Sequence, residues 1–247
     1  MEKGRFTLPG EQGMEKEIKQ LVEKWGVDAV RDSDGTQLSQ EIIDMGLQVY
    51  STICLVRMDN EYAKAHKEYL QQEFLTSESY VATEDVLRID IMEKVFAEQF
   101  EPNCDVDIKK YWQVMDRTEG KPISGEDWDY EDGKVVIKKL KKWHKYSVDF
   151  LAYQLWEPVS MYNHLTNDWK EEHRMPIDVR YPEVQEHILT ILEKWLQDHP
   201  KTDVVRFTTF FYCFDLVYNQ LGKEKMVNWF GSVSYTHLRA HETAANL

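Results

Sequence analysis

Two arginines carry the strongest chemical signal in this chain. Arg31 follows the short apolar run Val27 to Val30 and opens a cluster of charge, hydroxyl and turn residues, Arg31-Asp32-Ser33-Asp34-Gly35. Arg206 follows Asp203-Val204-Val205 and leads into Phe207-Thr208-Thr209. An arginine fork near the end of a strand matches the oxygens of a phosphate, or the vicinal hydroxyls of a sugar, better than a lysine does. The same positions also suit a structural ion pair with Asp32, Asp34 or Asp203. A third group, Asn163, Asn167 and Asp168, offers amide and carboxylate groups to sugar hydroxyls, with Tyr162, Trp169 or Trp156 as apolar platforms. The alternative is local, since Asn and Asp cap helices and close Asx turns.

Other chemistry finds little support. His164 and His173 stand nine residues apart without an H-x-x-x-H or cysteine partner, so ligand spacing for a metal is absent and no metal is expected. The chain has no GxGxxG, P-loop or GxSxG element, which removes the commonest nucleotide and serine-hydrolase signatures. Cys54, Cys104 and Cys213 are widely spaced and odd in number; they read as reduced, mostly buried thiols.

The elements that position the arginines follow from periodicity. Met14, Ile18, Leu21, Val22 and Trp25 form one stripe of a helix stopped by Gly26, with Trp25 on the core face. Val27 to Val30 is a strand, and Leu38, Ile42, Met45 and Val49 mark a second helix before a strand over Tyr50 to Val56. Asn60 to Gln72 is polar and helix-forming, Phe74 to Ala82 is β-prone, and the second half of Val86 to Phe100 is read as helix. Tyr111 to Trp143, with turns near Glu119-Gly120 and Asp132-Gly133, is an inserted antiparallel β-meander. Ser147 to Trp156 resumes the strand-then-polar rhythm. Pro182 opens a helix whose buried stripe is Val184, Ile188, Ile191, Leu192, Trp195 and Leu196. Asp203 to Tyr212 is a strand, and Leu216 to Trp229 is read as a last helix. Repeated strand and helix units with polar groups after the strands predict an α/β fold, part of a (β/α)8 TIM-type barrel, with roughly four or five of the eight strands a closed barrel needs.

Composition agrees with a globular protein. The 247 residues include 30 Lys and Arg against 44 Asp and Glu, a formal charge of −14, with 42% hydrophobic residues. Mean hydropathy is −0.59 and the pI about 5.0. No apolar run approaches the ~20 residues of a membrane span, and the acidic balance argues against a nucleic-acid surface. The amino terminus lacks a secretory h-region, so a cytoplasmic location is expected.

The tail from Ser232 to Leu247 breaks the pattern. Its run Val233-Ser234-Tyr235-Thr236-His237-Leu238-Arg239-Ala240-His241-Glu242-Thr243 resembles a translated sequencing adapter, so 232–247 is read as non-native and 1–231 as one barrel-type domain, with the β-rich insert at about 111–143. Its histidines are accordingly not read as a metal site.

Three long stretches together resemble one family. They are Arg5-Phe6-Thr7-Leu8-Pro9 with Trp25 to Thr36, Ser147 to Trp169, and Thr202 to Tyr212 continuing through Trp229-Phe230-Gly231. The chain resembles 1,3-β-galactosyl-N-acetylhexosamine phosphorylases, also called lacto-N-biose phosphorylases, from Gly4 to Gly231. The resemblance implies an N-terminal fragment of a barrel domain and reversible, inverting phosphorolysis. A β-1,3-galactosyl-N-acetylhexosamine and phosphate would give α-galactose 1-phosphate and N-acetylhexosamine. Phosphate is then a co-substrate and no cofactor is implied. Phosphate is already anionic, so the site needs cations and N–H donors rather than a basic carboxylate.

By motif, the resemblance puts Arg31, Asn163 in Met-Tyr-Asn-His and Arg206 in the galactose and phosphate pocket. It makes Asp34 substrate-binding and puts Val159 near the acceptor sugar. It puts the general acid, an aspartate, beyond Gly231, so this stretch holds no catalytic proton donor and is expected to be inactive alone. Three other readings stand beside it: a β-1,4-galactosyl-L-rhamnose phosphorylase, a sugar-binding module without chemistry, and an unstable partial barrel. Small-molecule disaccharide and phosphate are the expected partners, with a homo-oligomer in the full-length parent.

Overall fold

In the computed structural model, residues 6–10, 13–32, 37–95, 98–166, 168–208, 215–218 and 225–228 are described, the last two stretches as backbone. In chain order the elements are β1 (Thr7–Pro9), α1 (Glu15–Trp25), β2 (Ala29–Arg31), α2 (Gln40–Ile43), β3 (Gln48–Ile53), α3 (Asn60–Ala65), β4 (Gln72–Thr76), β5 (Tyr80–Val81), β6 (Leu87–Asp90) and β7 (Phe100–Pro102). They continue with α4 (Ile108–Tyr111), β8 (Gln113–Asp116), β9 (Lys121–Pro122), β10 (Trp128–Glu131), β11 (Lys134–Ile137), β12 (Lys145–Gln154), α5 (Pro158–Thr166), α6 (Pro182–Asp198), β13 (Val204–Phe207), β14 (Asp215–Tyr218) and β15 (Lys225–Asn228). The chain divides into two compact units, Met1–Met58 with Asp178–Phe210, and Asp59–Ile177 with Phe211–Leu247. Among the described residues no helix is long and apolar enough to cross a membrane.

The first unit is built on a four-stranded parallel sheet in the order β1-β2-β3-β13. Helix α1 carries Glu15 and Glu17 in its first turn and Lys24 in its last, the charge order its dipole favours. Gly26, at φ 65°, ends it by donating its N–H to the Val22 carbonyl, a left-handed cap that suits glycine. Ile18 of α1 and Ile42 of α2 pack on Val30 and Val49, so one face of the sheet is covered by helices. This is the α/β arrangement expected of a partial barrel, and the described strands do not close it.

Several local expectations need correction. Trp25, the last residue of α1 before the Gly26 cap, is 53% exposed and touches Phe6 edge-on at 5.7 Å, so it is not a core residue. The second helix is only four residues long; Gly46 at φ 69° ends the turn after it, and Val49 belongs to β3. In α6, Val184, Ile188 and Trp195 are buried as expected, whereas Leu196 lies on the exposed side.

The second unit is antiparallel throughout its sheets. Strand β12 is its centre: Asp149 pairs with Thr76 on one side and Gln113 on the other, and Tyr153 likewise with Gln72 and Glu101. Ser147 to Trp156 is therefore not a barrel strand. Its nearly continuous apolar run reads like a parallel core strand, but here both faces are covered inside an antiparallel sheet. A second sheet, β10-β11-β6, closes through a hairpin with Asp132 at φ 50° and Gly133 at φ 78°, the pair of left-handed residues that a type I′ turn demands. Trp112, Trp128, Tyr146, Phe100 and Phe150 are fully buried between these strands, Trp112 meeting Tyr130 and Phe150 edge-on. Among its described residues, the region from Val86 to Phe100 holds strand β6 and a turn at 91–94 and no helix. Backbone at 215–218 and 225–228 pairs as an antiparallel hairpin, which overturns the helix expected from Leu216 to Trp229. Cys54 is buried, but Cys104 is exposed, against the expectation of mostly buried thiols; Cys213 lies outside the described residues.

Candidate functional site

Arg31 is the last residue of β2 and Arg206 the third of β13. Tyr50 of β3 is in register with both Arg31 and Val204, and Arg206 pairs with Thr52. Residues in register on parallel strands share a face, and so do residues two apart on one strand. Arg31 and Arg206 thus leave the sheet on the same side, opposite the helix-covered face of Val30 and Val49. Two strand spacings and a two-residue offset put their α-carbons about 12 Å apart, close enough for two long guanidinium side chains to meet one small anion. Arg31 is half-buried and Arg206 exposed.

The acids proposed as their structural partners are used otherwise. Asp32 accepts the Thr52 amide at 2.5 Å while its carbonyl accepts the Thr52 hydroxyl, which ties the end of β2 to β3. Asp203 accepts the Val49 amide at 2.8 Å and returns its own amide to the Val49 carbonyl. Among the described residues neither guanidinium is paired with a carboxylate. Asp34 lies outside the described residues. A cleft of about 120 Å³ lined by Asp32, Leu38, Ser51, His199 and Thr202 accompanies this sheet, a space far below the ~300 Å³ at which small-molecule pockets begin.

Val159 and Asn163 belong to the other unit and sit on α5, not on a loop. They are four residues apart, hence on one face of the helix, and both are half-buried. The start of α5 is set by Glu157: Pro158 occupies the first turn, and the buried Glu157 carboxylate accepts the amides of Val159 at 2.9 Å and Ser160 at 2.6 Å. Sequence reading missed this cap; a carboxylate directly before Pro158-Val159-Ser160 was its signal. Asn167 and the side chain of Tyr162 lie outside the described residues. Asp168 stands at φ 58° and its exposed carboxylate pairs with Lys170. Trp156 is buried against His173 and His164, and so is a packing residue rather than an open platform.

One cluster with metal-ligand chemistry was not anticipated. Asp116, Glu119 and His144 each bring a ligand atom within 4.8 Å of the others. His144 Nδ1 lies 2.7 Å from the Asp116 carboxylate, the Asp116 side chain also accepts the Thr118 and Glu119 amides, and Glu119 pairs with Lys141. Burial alone would raise the Asp116 carboxyl, but the hydrogen bonds from His144 and the two amides hold it below its ordinary value. Lys141 already balances Glu119, so the cluster is a satisfied hydrogen-bond network around the turn after β8.

Comparison with known proteins identifies the relatives. The family described as the lacto-N-biose phosphorylase N-terminal TIM barrel domain matches residues 4–245. A 1,3-beta-galactosyl-N-acetylhexosamine phosphorylase of Bifidobacterium longum subsp. longum is 43% identical over 240 residues, 96% of this chain and 32% of that protein. A protein of the same name from Lachnoclostridium phytofermentans is 43% identical over 232 residues, 92% of this chain and 32% of its own length. A D-galactosyl-beta-1->4-L-rhamnose phosphorylase of that organism is 49% identical over 214 residues, 86% of this chain and 30% of its own length. The chain spans about a third of the length of these relatives.

Proposed function

Because the chain belongs to the lacto-N-biose phosphorylase N-terminal TIM barrel family, we propose that the protein of which it forms part phosphorolyses β-1,3-galactosyl-N-acetylhexosamines. The products are α-galactose 1-phosphate and free N-acetylhexosamine. The observation that carries this reading is the pair Arg31 and Arg206, two guanidiniums on one face of a parallel sheet with no described carboxylate neutralising either.

Their chemistry follows from charge. A phosphate oxygen attacks the anomeric carbon from the side opposite the departing glycosidic oxygen, through an oxocarbenium-like state, and the configuration inverts. The attacking anion needs no general base. It needs cations that hold it close to a carbon that is becoming positive, and planar forks fix its orientation. The departing oxygen needs a proton, and the aspartate that would give it is expected beyond Gly231. On this reading the 247-residue chain alone turns over no substrate. Asn163, on α5, donates to or accepts from galactose hydroxyls, and Val159 forms apolar wall near the acceptor. The protein acts in the cytoplasm, where phosphate is available, and the full-length parent assembles with itself.

A second acceptor class has its own support, the 49% identity to the protein named as a galactosyl-rhamnose phosphorylase. Incubating the full-length protein with phosphate and either lacto-N-biose or β-1,4-galactosyl-L-rhamnose, and following α-galactose 1-phosphate by phosphorus NMR, tests both. Sugar phosphate from lacto-N-biose supports the first reading. Release from the rhamnoside alone selects the second, and none from either substrate overturns the assignment.

A further inference from the structure

His164 follows Asn163 on α5 and makes a contact that its neutral form cannot satisfy. Nδ1 lies 2.7 Å from the Ser160 carbonyl one turn earlier, and Nε2 meets the Glu171 carbonyl. Both partners are acceptors only. A neutral imidazole has a single N–H, so one of its nitrogens would turn a lone pair toward a carbonyl oxygen; an imidazolium donates to both. The ring is T-shaped to Trp156 at 5.4 Å and inclined to Trp169 at 6.4 Å.

The contact joins two segments at the place where Asn163 stands. The Trp169 amide donates to the Asn163 carbonyl, the Arg174 amide to the Ser160 hydroxyl, and the Glu157 amide to the Arg174 carbonyl. The chain from Asp168 to Arg174 thus lies along α5, and His164 is the side chain that fastens its middle. The ionisable groups around it are accounted for. Glu171 pairs with Arg174, Glu172 with Lys64 and Asp168 with Lys170, while the Glu157 carboxylate is held by the amides of Val159 and Ser160. The remaining neighbour, His173, is tilted against Trp156 at 4.9 Å; burial disfavours its charged form and outweighs the opposing pull of Glu172 and Glu98, with His164 and Lys64 adding to burial.

We propose that His164, as an imidazolium bridging the Ser160 and Glu171 carbonyls, is a positioning residue that fixes Asn163 for galactoside binding, an inference that rests on the phosphorolysis reading for its functional half. It acts through backbone and touches no reacting atom.

Long-range proton–nitrogen NMR of the histidine rings in the 247-residue chain tests the geometry without any variant. Two protonated ring nitrogens with slowly exchanging protons are expected for His164; a neutral tautomer overturns the proposal. His164→Gln, which reaches only one carbonyl, is expected to speed exchange of the Trp169 amide about tenfold, the loss of roughly one hydrogen bond, while the Val159 and Ser160 amides capped by Glu157 stay protected. Unchanged Trp169 exchange, or equal loss at all three, also overturns it. In the full-length protein the same substitution is expected to raise KM for the galactoside about tenfold and leave KM for phosphate unchanged; an unchanged galactoside KM removes the positioning role. Absence of phosphorolysis in the unsubstituted protein would instead defeat the functional reading, with the NMR still deciding whether the bridge exists.

Discussion

Strands β13 and β12 are written in similar residues, β-branched and aromatic, each entered from a charged segment. Their fates differ. In β12 eight of ten residues are buried, whereas in β13 Val204, Arg206 and Phe207 are exposed, Phe207 by 45%. The antiparallel unit covers both faces of its central strand and fills the space with Trp112, Trp128 and Phe150. In the parallel unit α1 and α2 cover the face of Val30 and Val49, and on the opposite face, among the described residues, Val204 and Arg206 are exposed. Stability is thus concentrated where side chains meet side chains, and the proposed anion site lies where they do not.

The sharpest way to break this contrast is to remove a large side chain from each unit. Phe150→Ala is expected to cost about 3–5 kcal/mol in chemical denaturation of the chain, the range for a fully buried aromatic, while Phe207→Ala is expected to stay within about 0.5 kcal/mol as an exposed site. Equal costs would mean that Phe207, at the end of β13, is covered in solution. Next in size is Arg206→Ala in the full-length protein. A loss of about 10²–10³-fold in phosphorolysis is expected, as for removal of a preorganised donor to developing charge, with denaturation of the chain unchanged. A comparable loss of stability would make Arg206 structural.

Two smaller effects belong to α5 and its surroundings. Glu157→Gln should cost about 1–2 kcal/mol, since an amide caps two buried N–H groups less well than a carboxylate; an unaltered unfolding midpoint would show that the cap contributes nothing. The pH response of His173 is smaller still. Burial lowers its affinity for a proton in the folded state, so the unfolded chain binds the proton more readily. The contribution of His173 to stability should therefore fall as pH drops through the ordinary histidine value near 6.5, and His173→Phe should remove that contribution from denaturation midpoints between pH 7 and 5.5. A slope unchanged by the substitution would assign the effect to another group.

What could be read in advance depended on whether the deciding interaction was local. The Gly26 cap, the Asp132-Gly133 hairpin and the Pro182 helix start are set by residues within a few positions, and each formed as expected. The placement of Arg31 and Arg206 on strands was legible because each follows an apolar run. The direction of β12 was not, since a strand buried on both faces has the same pattern whether its neighbours run with it or against it. Trp25 shows the converse: it keeps the spacing of the helical stripe, yet as the last residue of α1 its side chain stays exposed. The Asp116, Glu119 and His144 cluster stayed hidden because His144 is brought to the turn by pairing across strands, 28 residues from Asp116.

The reciprocal bonds between Val49 and Asp203 join residues 154 positions apart. During synthesis at about 5–20 residues per second, β3 leaves the ribosome roughly 8–30 s before β13 can reach it. For that interval one edge of a nascent parallel sheet waits without its neighbour, while the intervening segment has time to collapse on its own core. Yield of this protein in a cell should therefore depend on how long that edge is shielded, and slowing translation between the codons for Ile53 and Val204 should lengthen the exposure and increase aggregation.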